Sequence, residues 1–292
     1  MKKISKEERD AYYFENPFTI ERDKVNGLLC IAPTSVRNDV INCSDGNEKV
    51  GGRVGNYNLP VAYSCVADCE CHKEKKCYAC SGCYRFTHVQ LAYSENMAYL
   101  MRHTWQEFAN EMIDIIHVNK WNLFRYFACG DIPYRSFIDA VVMIGNNCSE
   151  TRFWLYTKKY NLVNSWVREH GIDAIPSNVV IIFSHWRNDD GTFYPMDNPY
   201  NFPTSEFIPV GHEEEAETVT HICPCSDPDI IANCKTCDHP CYELKHGESM
   251  ALLEHSTSAS KVRDKEIKEA HRALKEAKKA EKRANRKAKK TA

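Results

Sequence analysis

Residues 178–186 read NVVIIFSHW, and the apolar run from Val179 to Phe183 is the strongest strand signal in the chain. A strand with one face in water alternates apolar and polar residues, whereas this run is apolar throughout. Such a run is typical of a strand that is covered on both faces, as in a parallel sheet. The segment therefore predicts an α/β fold.

The chain before this strand alternates between strand and helix patterns. NLFRYFAC (122–129) and RFWLYTK (152–158) read as strands, and the helical patterns YRSFIDAVVMIGNN and NLVNSWVREHG follow them. Strands separated by helices at this spacing predict right-handed βαβ units. We therefore expect a partial (β/α) barrel or an open parallel sheet, with Cys-rich loops and a C-terminal Cys-rich extension.

Further elements are predicted on both sides of this alternation. The apolar LPVAYSC (59–65) is expected to be the first strand, and SEFIPV and TVTHIC are expected to be short strands near the end. Between residues 86 and 119, apolar residues recur at separations that are mostly three or four, which predicts one long helix with a core-packing face. These residues are Val89, Tyr93, Met97, Leu100, Phe108, Met112 and Ile115.

The sequence divides into four parts. Residues 1–58 are irregular, with turn signals SDGN and VGGRVGN that predict loops and a hairpin. Residues 59–210 contain the β/α core with a Cys-rich loop, and residues 211–256 form a C-terminal Cys-rich segment. Residues 257–292 form a basic helical tail.

Composition excludes several classes of protein. The chain has 292 residues and 43% hydrophobic content, which is enough for a substantial core. No apolar run approaches the roughly 18 residues of a membrane span, and the basic start lacks the apolar core of a signal peptide. We expect a cytoplasmic protein without a membrane partner, in which thiols stay reduced.

Charge is distributed unevenly along the chain, although the net charge is only −2. Residues 261–292 contain fourteen Lys or Arg against five Asp or Glu, so the tail is basic and the remainder is acidic. A basic tail predicts nucleic acid as a partner. The tail residues are also strong helix formers with few apolar positions, so a solvated helix is the alternative.

Eleven of the fifteen cysteines fall into two groups. The first group comprises Cys65, Cys69, Cys71, Cys77, Cys80 and Cys83, and the second comprises Cys223, Cys225, Cys234, Cys237 and Cys241. Both groups contain C-x2-C steps, which let one loop give two sulfurs to one centre. We predict that each group binds metal, as one or two 4Fe-4S clusters or as zinc; a reducing compartment disfavours disulfides. The remaining cysteines are interpreted as small buried residues, namely Cys30, Cys43, Cys129 and Cys148.

Polar residues follow three of the predicted strands, where ligands bind in parallel sheets. Gly130 and Asp131 follow the strand 122–129, Lys158 ends the next, and Ser184 and His185 end the last. We predict Asp131, Lys158 and His185 as catalytic groups. Gly130, Asp131 and Ser184 are predicted to bind a cofactor. The alternatives are a helix cap for Asp131, exposed strand exits for Lys158 and His185, and a local backbone contact for Ser184.

The Cys-rich loop after the first strand, with Tyr78 between two of its cysteines, and the Gly-polar pair after the second strand resemble the radical S-adenosylmethionine barrel. In that superfamily three cysteines hold a 4Fe-4S cluster whose open iron binds the nucleotide. The resemblance implies S-adenosylmethionine as a cofactor. Those enzymes usually have C-x3-C-x2-C, whereas the nearest spacings here are Cys71-x5-Cys77-x2-Cys80 and Cys69-x7-Cys77-x2-Cys80.

A closer resemblance, over about residues 55–256, is to the phage "gene product 88" family. It is carried by the order NLPVAYSC, CYA, Asn96, FRYFACGDI, FWLYTKK, NVVIIFSHW, CKTCDHPCY and LLEHS. The family's Arg-bearing strand and GD pair map to Arg125, Gly130 and Asp131, and its YTK segment maps to residues 156–158. The resemblance implies a phage or mobile-element protein, located in the host cytoplasm if a phage encodes it.

Three functions stay open at this point. The first is an iron–sulfur enzyme of the radical S-adenosylmethionine type, with a cluster in the loop after the first strand and an auxiliary C-terminal cluster. The second is a zinc-stabilised protein that binds nucleic acid through its tail without catalysis. The third is an iron–sulfur protein that senses redox state.

Overall fold

The computed structural model describes residues 24–25, 28–46, 50–66, 69–187, 192–208, 219–226 and 233–254. Ten strands lie in these residues: β1 (Lys24–Val25), β2 (Leu28–Leu29), β3 (Cys43–Ser44), β4 (Gly55–Tyr57), β5 (Leu123–Tyr126), β6 (Arg152–Thr157), β7 (Val179–His185), β8 (Thr204–Ile208), β9 (His221–Ile222) and β10 (Ser249–Leu253). Six α-helical segments lie among them: α1 (Val61–Ser64), α2 (Glu70–Lys73), α3 (Thr87–Arg102), α4 (Trp105–Asn119), α5 (Phe137–Asn147) and α6 (Tyr160–His170).

Eight of the strands form one sheet in the order β3-β4-β5-β6-β7-β8-β10-β9. Every neighbouring pair from β4 to β9 is parallel, and only the β3–β4 pair is antiparallel. Of the two predicted architectures, the open parallel sheet is confirmed. The sheet does not close into a barrel, because β3 and β9 lie at its two edges.

The first parallel strand differs from the prediction. It is β4, whereas LPVAYSC contains the helical turn α1. Pro60 precedes this turn with an extended backbone, and the fixed φ of proline suits a helix start. The hairpin predicted in the N-terminal part is confirmed, since β3 pairs with β4 across the segment that carries the turn signals.

The long helix predicted over residues 86–119 is two helices, α3 and α4. The break lies at His103, whose backbone is extended, and Thr104 caps the second helix. The Glu107 amide donates to Thr104 Oγ1 at 3.2 Å, and the Thr104 amide donates to Glu107 Oε2 at 2.7 Å. This capping box starts a new helix. The apolar face of both helices is in the core as predicted, with Met97, Leu100, Phe108 and Met112 buried.

The two faces of the sheet are covered differently. Side chains alternate between faces along each strand, and one set packs with α3, α4, α5 and α6 in the main core. This set comprises Phe124, Tyr126, Phe153, Leu155, Ile181 and Phe183. The other set, which includes Trp154 and Ile182, packs against residues of the second cysteine group. The apolar run in β7 is therefore covered on both faces, as predicted.

The strand β10 is the last in the described chain, yet it lies between β8 and β9. It pairs with β8 over all five residues from Ser249 to Leu253. The sequence pattern did not predict this strand. Within the described residues, no helix combines the length and the apolar character that crossing a membrane requires.

Candidate metal centres

The first cysteine loop lies across the carboxyl ends of the parallel strands. Trp186, which follows β7, donates its indole N–H to Glu74 Oε2 at 2.9 Å. Lys76 Nζ lies 3.3 Å from the carboxylate of Glu254, which follows β10. These contacts from the loop to two strand ends place the first cysteine group at the edge where ligands bind in parallel sheets.

Four sulfurs of this loop lie close together. Cys69 Sγ lies 3.1 Å from Cys71 Sγ, the sulfurs of Cys71 and Cys77 lie within 4.8 Å of one another, and Cys80 acts on the Cys77 thiol. The structure therefore brings together the cysteines of the two spacings that come nearest to C-x3-C-x2-C, namely Cys71, Cys77 and Cys80, and Cys69, Cys77 and Cys80. In addition, the ligand atoms of Cys71, His72 and Cys77 all lie within 4.8 Å of one another. This Cys/His cluster has the donor atoms of a metal site.

His72 is a candidate ligand that the sequence analysis missed. Burial, and then the charge of Lys158, lower the pKa of His72 to about 4. The imidazole is therefore neutral at pH 7, and the neutral form is the one that binds metal. The sequence feature that could have identified His72 as a ligand is its position directly after Cys71 in a cysteine-rich loop.

Other cysteines surround the cluster at different depths. Burial raises the pKa of the Cys65 thiol well above its ordinary value, and Cys69 lies near it. Cys30 and Cys129 are buried, as interpreted from the sequence, and they pack in one apolar cluster with Cys80. Cys83 is exposed. The fold thus adds two cysteines from distant segments to the surroundings of the first group.

Lys158 supplies positive charge beside these sulfurs. Its Nζ lies 5.1 Å from the centroid of the Trp186 ring. Burial lowers the pKa of Lys158, but the neighbouring thiols of Cys69 and Cys71 raise it to a net value above the ordinary one. The ammonium therefore stays charged, and a nearby cation favours the thiolate form that binds metal.

Asp131 is buried and joins the ends of two strands. Its Oδ1 accepts hydrogen bonds from the Ile132 amide at 2.7 Å and from Thr157 Oγ1 at 2.6 Å, and its Oδ2 accepts one from the Lys158 amide at 2.9 Å. Burial raises the pKa of Asp131, while Lys159 and these hydrogen bonds oppose the rise. The contacts fix the backbone that carries Lys158. A catalytic role for Asp131 stays a prediction.

Gly130 lies where no side chain fits. Its φ is +89°, and a Cβ there would lie 2.6 Å from both the Leu59 carbonyl oxygen and Ser64 Oγ. Glycine adopts positive φ without steric cost. Because Gly130 has no side chain, the chain that follows β5 can lie close to α1. Cofactor binding by Gly130 stays a prediction.

We expect Gly130→Ala to lower the free energy of unfolding by about 2–4 kcal/mol, since strain and overpacking add. The matched control is Gly247→Ala, where φ is +81° but the surrounding space is open. That change should cost only the backbone strain, about 1–2 kcal/mol. Urea unfolding of the two variants measures the difference, and equal losses would contradict the packing role of Gly130.

Ser184 and His185 lie at the end of β7. The Ser184 carbonyl accepts a hydrogen bond from the Tyr160 hydroxyl. His185 Nε2 lies 3.2 Å from the Tyr194 carbonyl oxygen, and its ring stacks on Phe193. Burial lowers the pKa of His185, so it is neutral at pH 7. The predicted cofactor and catalytic roles of these two residues stay predictions.

The second cysteine group lies on the sheet face opposite the helices. Cys223, Cys234 and Cys241 pack in one cluster with Trp154. Cys225 acts on the Cys234 thiol. Burial raises the pKa of Cys223, and the neighbouring thiols of Cys225 and Cys237 add to the rise. Tyr156 donates its hydroxyl to Cys241 Sγ at 2.9 Å. The structure therefore gathers the five predicted cysteines of this group on one side of the sheet.

The predicted basic tail, residues 257–292, lies outside the described residues. The nucleic-acid partner predicted for it therefore stays a prediction.

A comparison with known protein families finds a match for this chain. The sequence model of a protein family described as "Gene product 88" matches residues 41–217, which is more than half of the chain. The matched region contains the strands from β3 to β8 and the first cysteine group, and it ends before the second group. No curated protein and no solved structure matches the chain.

Proposed function

Since the chain belongs to the gene product 88 family, we propose one function for the cysteine edge inside the matched region: an iron–sulfur centre that serves radical chemistry on S-adenosylmethionine. The observation that carries the proposal is the cluster of neighbouring donor atoms at the carboxyl edge of the sheet, in which Cys69 and Cys71 are in contact and Cys71, His72 and Cys77 lie within 4.8 Å of one another. Ligands bind at this edge in parallel α/β sheets.

The donor set suits a sulfur-ligated centre. Soft thiolate donors select iron–sulfur clusters and zinc over hard oxygen-binding metals. Cys71, Cys77 and Cys80 are the proposed three ligands, because the sulfurs of Cys71 and Cys77 lie within 4.8 Å of one another and Cys80 acts on the Cys77 thiol. Cys69 and His72 lie beside them as further donors.

The residues around these sulfurs stabilise negative charge at this edge of the sheet. A 4Fe-4S cluster held by the three cysteines would supply one electron to a bound sulfonium. Lys158 holds positive charge beside the sulfurs and so stabilises the thiolates. Asp131 fixes the Lys158 backbone, and the buried ring of Trp186 covers the ammonium group. We propose the second cysteine group as an auxiliary centre on the sheet face.

The experiment begins with full-length protein purified without oxygen. We expect several irons and matching acid-labile sulfide per chain, with brown colour and broad absorbance near about 400 nm, as thiolate-ligated iron–sulfur clusters give. The reduced protein, mixed with S-adenosylmethionine, should then form 5'-deoxyadenosine. A variant with Cys71, Cys77 and Cys80 all changed to alanine is the control for background cleavage.

Other outcomes would point to other functions. A colourless protein that holds only zinc would contradict the proposal and favour the zinc-stabilised alternative, for which nucleic acid at the tail is the predicted partner. An iron-containing protein that forms no 5'-deoxyadenosine under full reduction would contradict radical chemistry and favour redox sensing.

A further inference from the structure

Arg125 projects from β5 onto the sheet face that carries the second cysteine group. Its strand neighbours Phe124 and Tyr126 belong to the helix-side core, and side chains alternate along a strand. The Arg125 Cζ atom lies 5.3 Å from the centroid of the Tyr156 ring. The guanidinium is therefore held against the residue that also donates a hydrogen bond to Cys241.

The Arg125 guanidinium lacks a counter-charge among the described residues. Its Nε is buried and has no hydrogen-bond partner, and none of the ion pairs between described residues includes Arg125. The Arg125 side chain is half-buried, and a charge that is partly taken out of water without a partner is costly. Its position against the sheet face therefore points to an anion that belongs beside it.

The neighbours of Arg125 identify that anion. The ionisable groups that act on it most strongly are Tyr78, Tyr156, Tyr84 and Cys234, and Arg125 also acts on Cys241. No Asp or Glu is among these groups. Phenols are neutral at pH 7, whereas cysteines become thiolates when they bind a metal. Four thiolates around a divalent ion, or around a 4Fe-4S cluster, carry a net negative charge.

We propose that Arg125 is the counter-charge of an anionic metal–thiolate centre formed by the second cysteine group. Arg125 is a positioning residue in this proposal, because it acts on the centre through its charge and is not itself a ligand. Tyr156 complements it with the hydrogen bond to Cys241. The inference rests on the proposed metal binding by this group and adds the charge and the supporting residue of the centre.

The test compares Arg125→Met, Arg125→Lys and the unaltered full-length protein. Apo protein is loaded with Zn²⁺ alone in competition with a chelator, and iodoacetamide labelling with mass spectrometry reports each cysteine separately. Outer-shell changes at metal sites typically weaken binding by about 10–100-fold. We expect a loss in this range at the second group in Arg125→Met, with a smaller loss in Arg125→Lys. Arg135→Met, which removes an exposed pair with Glu169, is the control and should change nothing at the second group.

A thermal melt of the metal-free proteins separates this role from a merely structural one. Removal of an unpaired, half-buried cation should leave apo Arg125→Met at least as stable as the unaltered apo protein, although its metal binding is weaker. Unchanged metal affinity in Arg125→Met would overturn this inference but not the proposed function. A lower melting temperature of apo Arg125→Met, together with weaker metal binding, would also overturn this inference.

Two further outcomes count against the inference. If inorganic phosphate stabilised the apo protein but not apo Arg125→Met, while metal affinity stayed equal, the anion would be an external ligand. If the unaltered protein bound no metal at the second group while the first group did, both this inference and the auxiliary centre would fall, but the proposed chemistry of the first group would stand.

Discussion

Protein that carries Cys77→Ala will emerge from oxygen-free purification without metal in its first centre. The Cys77 sulfur lies within 4.8 Å of the ligand atoms of Cys71 and His72, and Cys80 acts on the Cys77 thiol. Cys77→Ala therefore removes a central sulfur ligand from the first centre. Even outer-shell changes at metal sites cost about 10–100-fold in affinity, so loss of this ligand should cost at least as much. Elemental analysis and visible absorbance measure the result.

The control is Cys148→Ala. Cys148 is buried, whereas Cys77 is half-buried, and Cys148 packs in the helix-side core with residues such as Ile144. This variant should keep its full metal content and lose only stability. Full metal content in Cys77→Ala would show that the ligand assignment is wrong.

Trp154→Ala should lower the free energy of unfolding by about 3–5 kcal/mol, the usual cost of truncating a buried aromatic residue. The Trp154 side chain is 1% exposed, and its ring centroid lies 5.4 Å from that of Tyr242 in the second cysteine segment. It also packs in one cluster with Cys223, Cys234 and Cys241. We therefore expect the second group to bind metal more weakly as well. Chemical unfolding and chelator competition measure the two effects.

Trp166→Ala is the matched control, since Trp166 is 2% exposed but belongs to α6 on the opposite face of the sheet. It should lose similar stability, yet metal affinity at the second group should not change. Equal metal loss in both variants would indicate that general destabilisation releases the metal. No metal loss in Trp154→Ala would contradict the contact between sheet and centre.

The sheet was predictable where the local pattern and the fold agree. The strands β5, β6 and β7 have apolar runs between helical patterns, and the structure confirms all three. The strand β10 contains the sequence SMALL, whose Met, Ala and Leu residues favour helices. Its extended form comes from pairing with β8 and β9, which a local pattern does not encode. The capping box at Thr104 is a sequence signal for the start of a second helix. The apolar spacing continues across Thr104, however, and so predicts a single helix.

The candidate centres were predictable from spacing only in part. Spacing identified the cysteines of both groups, because ligands on one loop keep a fixed separation. Spacing did not identify the contributions that different strands make, such as the charge of Lys158 beside Cys69. The sequence identified Arg125 only as part of a family pattern. Its unpaired Nε and its contact with Tyr156 depend on the fold.

The place of β10 inside the sheet has a consequence for how the protein is made. Translation delivers β8 and β9 first, and the strand that joins them leaves the ribosome afterwards. Until then β8 offers an open edge, and such edges recruit strands from other chains. The half of the sheet beyond β7 can therefore be completed only after β10 has been synthesised, and a strand of another chain that paired with β8 before then would block this step.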